Sequence, residues 1–177
     1  DSSSFIRMLP MSDWLNFCLT PDAVRDACRE AVEKATRRLD ALAAAPTGEA
    51  CQVRGVCEAV DAVLGDLEAE TAAPTFLKYC SPDAAVRDAA HAVESELGRF
   101  AVDVYTRSDL YARAKSSRAE GLTPAAARLR EKTLAEFRRN GLDLPPLERA
   151  RLTLWRKQLL EMEFAFGKNL NEVRDFL

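Results

Sequence analysis

Hydrophobic positions recur at three- and four-residue spacing through most of this chain, and residues that start or stop helices bracket each periodic stretch. Thr20-Pro21 is the first bracket: a hydroxyl able to cap, then a proline at the first helical position, where a missing N–H leaves no bond unmade. Behind it Val24, Cys28, Ala31, Ala35, Leu39 and Leu42 form one stripe with charges between them, and Pro46-Thr47-Gly48 stops the run. A second stripe of Val53, Val56, Val60, Val63 and Leu67 predicts a helix over about 49–73. Gly55 and Gly65 weaken it, Ala73-Pro74 ends it, and residues 75–80 are left as a short apolar connection.

The start signal returns at Ser81-Pro82-Asp83, with Ser81 read as the cap, and opens a long helix through Val86, Ala90, Val93, Leu97, Phe100 and Val104. Ser108-Asp109 caps a shorter helix carrying Leu110, Tyr111 and Ala114. Thr123-Pro124 opens another, with Leu129, Leu134 and Phe137, which runs to a stop at Asn140-Gly141. Pro145-Pro146 opens the last, long helix, whose stripe of Trp155, Leu159, Met162, Phe166 and Leu170 is expected to bury against Val86–Val104. Strand-like alternation is confined to the final VRDFL, and no regular repeat supports a solenoid. The prediction is an all-α, antiparallel bundle of about six helices, two or three of them long. Residues 1–15 are expected to be a flexible tail, with either Met8 or Met11 able to serve as a start, and residues 16–177 to form one helical domain.

Composition narrows the picture without changing it. Hydrophobic residues make up 47% of the 177 and charged residues 30%, enough apolar material for a core in a chain that stays soluble. The formal charge of −3 comes from interleaved acids and bases with no basic stripe, which argues against a nucleic-acid partner. No apolar run approaches the roughly 20 residues a membrane span needs, and the start lacks the pattern of a signal peptide. Five cysteines, Cys18, Cys28, Cys51, Cys57 and Cys80, include no CxxC pair. They read as reduced thiols in a cytoplasmic setting, not as a disulfide framework.

Candidate chemistry is sparse. A His-Glu-x-x-His zinc site needs two imidazoles one helical turn apart and a glutamate as base, yet His91 is the only histidine. His91 reads as a surface residue within helical reach of Asp88 and Ser95. Cys51 and Cys57, six residues apart, would point about 120° away from each other on a helix. Cys28 lies on an apolar stripe and reads as a small core residue. There is no glycine-rich phosphate loop and no nucleophile elbow, and acids such as Glu30 read as i,i+4 partners, here of Lys34. No catalytic, cofactor-binding or metal-ligating residue is assigned in this chain.

Several blocks nevertheless carry a resemblance. Phe137, Arg138, Arg139, Gly141 and Leu144, then Phe166, Lys168, Asn169, Leu170, Asn171 and Glu172, match an aromatic-Arg-Arg-x-Gly-x-x-Leu helix end followed by Phe-x-Lys-Asn-Leu-Asn-Glu. NFCLTPDAV at 16–24, SPDAAVRDAAHAVESEL and SDLYARA agree in order and spacing. Together they resemble the N-terminal helical region of the thimet oligopeptidase and neurolysin family, from about Asn16 to the end. Val173-Arg174-Asp175 and Cys51-Gln52-Val53 depart from the family pattern and suggest a divergent member.

The resemblance implies a channel-wall or lid region of a zinc metalloendopeptidase that acts on short peptides. The zinc and its His-Glu-x-x-His helix belong to a carboxy-terminal catalytic part absent here, which would then be the partner of this chain. Asn169, Leu170 and Asn171 are expected to be a structural junction. By this reading the chain alone is no enzyme. The alternatives are a free-standing, non-catalytic helical module that binds a protein or peptide, and an unrelated bundle.

Overall fold

A computed structural model describes residues 17–45, 55–117 and 121–172. The expected tail at 1–15, residues 49–54 of the expected second helix with Cys51 among them, and the VRDFL tip lie outside the described residues. Six helices follow in chain order: α1 (Pro21–Ala44), α2 (Val56–Cys80), α3 (Ala84–Tyr105), α4 (Ser108–Ser116), α5 (Pro124–Arg139) and α6 (Pro146–Glu172). No strand occurs among the described residues, so the chain is an all-α bundle.

The local start signals act largely as their chemistry requires. The Thr20 hydroxyl accepts from the Ala23 amide at 3.2 Å, and the Thr123 hydroxyl accepts from the Ala126 amide at the same distance. At α3 the cap is Asp83, not Ser81: its carboxylate accepts from the Ala85 amide at 2.8 Å. Ser81 ends α2 instead, and its hydroxyl takes the Asp83 amide at 3.3 Å. Arg107, not Ser108, precedes the first turn of α4 and offers no side-chain cap. At the close of α5, Asn140 is followed by Gly141 at φ 88°, the left-handed conformation that lets the chain turn back into α6.

α2 differs from expectation. It begins with Gly55 as its cap, and it runs through Pro74 to Cys80. A proline inside a helix removes one hydrogen bond and crowds the preceding turn. Burial on the far side of it outweighs that cost, since Leu77 is 1% exposed and Lys78 9%. The Thr71 and Thr75 hydroxyls bond back to Leu67 O and Thr71 O, each at 2.8 Å, within the same stretch.

α1, α2 and α3 pack on one another as the central bundle. One end of the core gathers Leu39, Val60, Val104 and Leu110 around Phe137, whose ring meets Tyr105 at 5.3 Å and Tyr111 at 5.6 Å. The other joins Val24, Cys28, Leu77, Val86 and Val93, and Leu97 packs against both. α4 and α5 close the first end. The ion pairs between helices are not the local one expected: Lys34 binds Glu70 of α2 and Arg38 binds Asp66 at 2.6 Å.

α6 lies along the outer side of α3, and its orientation reverses the expected one. Leu160 and Phe164 face α3, close enough that a Cβ on Gly98 would sit 2.8 Å from Leu160 and 2.9 Å from Phe164. Lys168 pairs with Asp88 at 2.7 Å, Arg99 with Glu161 at 3.6 Å and Lys157 with Asp103 at 2.5 Å along the same antiparallel seam. The predicted stripe lies on the opposite face, and Trp155, Leu159, Met162, Phe166 and Leu170 are 55–68% exposed.

Candidate functional site

Among the described residues no three His, Cys, Asp or Glu side chains group as metal ligands. His91 is half-buried on α3, where Ser95 Oγ donates to its carbonyl at 3.2 Å, and nearby Asp88 is committed to Lys168. That ion pair holds the Asp88 carboxyl below its usual range. The donor set at His91 therefore does not fit zinc, which in a peptidase takes three protein ligands and keeps a position for water.

The two buried thiols are held protonated by their surroundings. Burial, helped by Glu96, pushes the Cys28 thiol up to about 11, and burial also raises Cys57. Cys18 and Cys80 are exposed, and no disulfide joins the four described cysteines.

Two surfaces stand out instead. The first is the outer face of α6, where Trp155, Leu159, Met162, Phe166 and Leu170 are each more than half exposed; Leu147 and Leu154 add exposed apolar surface on a flank of the same helix. A helix apolar on opposite sides is built to lie between two layers, and α3 supplies one. Periodicity found the stripe but could not tell it from the second one, Leu160 and Phe164, that the bundle covers.

The second surface is a groove of about 510 Å³ between α2 and α3. Leu64, Leu67, Leu97 and Phe100 form its apolar walls, and Phe76 and Tyr79 stand at one end. Lys78 lies within it, bonded to Glu94 and 4.5 Å from the centre of the Tyr79 ring. Burial lowers the affinity of Lys78 for its proton, but the bonds to Glu94 and Tyr79 outweigh that and leave its pKa raised, so the amine is charged. Sequence reasoning missed this surface because it read Thr75–Cys80 as a connection. The signal was available as two aromatics on a stretch that never leaves helical spacing.

The geometry is that of an all-helical scaffold with two apolar surfaces and, among its described residues, no group of three metal-ligand side chains. Comparison adds a relative. The chain is similar to a thimet-like oligopeptidase of Dictyostelium discoideum, 31% identical over 103 residues, which cover 54% of this chain and 15% of that protein. No model of a known protein family matches the chain. The match hints at an oligopeptidase-related segment, and the chain spans a small part of the relative's length.

Proposed function

We propose that this chain is the N-terminal channel-wall or lid region of a zinc-dependent oligopeptidase, with no catalytic residues of its own. The similarity to the thimet-like oligopeptidase carries the reading. The outer face of α6 supports it, because a wall region needs an apolar seam to the rest of its enzyme. Peptide hydrolysis by such an enzyme requires a metal-polarised water and a general base. Both would belong to the remainder, along with the zinc, and the substrates would be short peptides admitted to the channel. This chain would contribute shape, excluding folded proteins while its ion-paired helices hold the wall rigid.

The test is complementation. The chain is mixed with the catalytic remainder of a thimet-type oligopeptidase, produced separately, and cleavage of a quenched short peptide is followed. The expected result is no cleavage by this chain and recovery on mixing, lost again when Leu159 and Phe166 are both replaced by lysine. Chelator-sensitive cleavage by the chain alone would overturn the proposal, as would a remainder indifferent to its presence. The exposed α6 face also suits a free-standing binding module. A parent reading frame without downstream His-Glu-x-x-His codons would favour that second reading.

A further inference from the structure

The groove between α2 and α3 is independent of the α6 face and plays no part in the proposed function. Its walls are largely apolar, its one cation, Lys78, is bonded to Glu94, and its other carboxylate, Glu68, is exposed to solvent, so it offers a lining for an apolar segment and no unpaired cation for an anionic ligand. The chain itself leads to one end of it. Phe17, the first described residue, meets the Phe76 ring edge-on at 6.2 Å, and Phe76 meets Tyr79 at 5.9 Å. Phe76 and Tyr79 both line the groove.

We propose that the residues immediately before Phe17, with Trp14 and Leu15 as anchors, are the segment this groove binds. The composition fits: Met11, Trp14 and Leu15 place three large apolar side chains within six residues of Phe17. The reach fits as well. From Tyr79 back to Leu64 the groove follows α2 for about 22 Å at 1.5 Å per residue. Six residues extended from Phe17 span about 20 Å. Tethering also favours this occupant over any free one, since a segment joined by a few residues acts at an effective concentration in the millimolar range. The Phe17–Phe76–Tyr79 ring contacts give the segment its register, fixing where Trp14 would enter.

The two tryptophans of the chain make the test direct. Trp155→Phe leaves Trp14 as the sole reporter, in the full chain. Its emission is expected to be that of a buried indole and to shift to the red, towards tryptophan in water, when Ala72→Arg fills the groove. Phe76→Ala, which removes an exposed ring from the groove's end, is expected to produce the same shift, with helix content unchanged in both variants. Water-like emission from Trp14 before any groove substitution overturns the inference. A buried signal that both variants leave in place overturns it too. So does one that disappears on dilution or on Leu159→Lys, because Trp14 would then lie against a second copy or the α6 face.

Discussion

Glycines show how one atom changes meaning with its surroundings. Gly141 combines φ 88° with a Cβ position 2.8 Å from Leu152, so Gly141→Ala is expected to cost about 1–3 kcal/mol through strain and collision. Gly65 lies inside α2 with nothing within 4 Å of its Cβ position, so Gly65→Ala should stabilise by about 0.5–1 kcal/mol. Urea unfolding of the two variants checks both signs. Charge acts as locally. Arg107 binds Asp40 of α1 at 2.6 Å and Asp109 at 2.7 Å, joining α1 to the start of α4. Its hydrogen bonds hold the Asp109 carboxyl below the usual range. With the folded pKa depressed, the unfolded chain binds more protons in that window. The contribution is therefore whole above the ordinary carboxylate range and is lost as pH falls through the folded value. Arg107→Ala is expected to remove about 0.5–1 kcal/mol at neutral pH and to flatten that acid limb, read from unfolding free energy against pH. Thr20, Thr123 and Asn140-Gly141 were legible because a cap or a left-handed turn depends on neighbours in sequence. Ser81 was misassigned because the serine and the aspartate two positions on both offer a capping oxygen, and the path of the chain selects between them.

At the scale of the element, α2 and α6 carry the two departures. A proline ends a helix when nothing repays its missing bond; at Pro74 the buried Leu77 and Lys78 beyond it do so. α6 presents two stripes, and packing chooses one. Leu160→Ala and Phe164→Ala should loosen the α3 seam and cost about 1–3 kcal/mol each, because both side chains lie against Gly98. Phe166→Ala, at a residue 65% exposed, should change the stability of this chain by less than about 0.5 kcal/mol. The same substitution should weaken docking of the catalytic remainder by about 1–3 kcal/mol, if that face is the seam we propose. Denaturation measures the first three effects and titration of the remainder measures the last. The helices themselves were legible from three- and four-residue spacing. The choice of stripe was not, because spacing records that a face is apolar and does not record what covers it.

For the whole molecule, the central bundle of α1 to α3 buries most of what periodicity selected, from Val24 and Leu39 to Val60 and Val93. No described helix is long and apolar enough to cross a membrane. Replacing Leu159 and Phe166 together by lysine is expected to leave the thermal midpoint within a few degrees of the parent and to reduce concentration-dependent association, measured by light scattering. Local pattern in the chain was enough for the helical class, five of the six helix starts to within a few residues, and most residues of the main core. Those features depend on backbone propensity, capping chemistry and a repeat near 3.6 residues, all local in the chain. Packing between distant segments set the rest: α2 continues past its proline, α6 meets α3 through Leu160 and Phe164, and a groove opens between α2 and α3. Each of these depends on which distant side chains arrive to bury an atom, and burial energy is a property of the assembled neighbourhood.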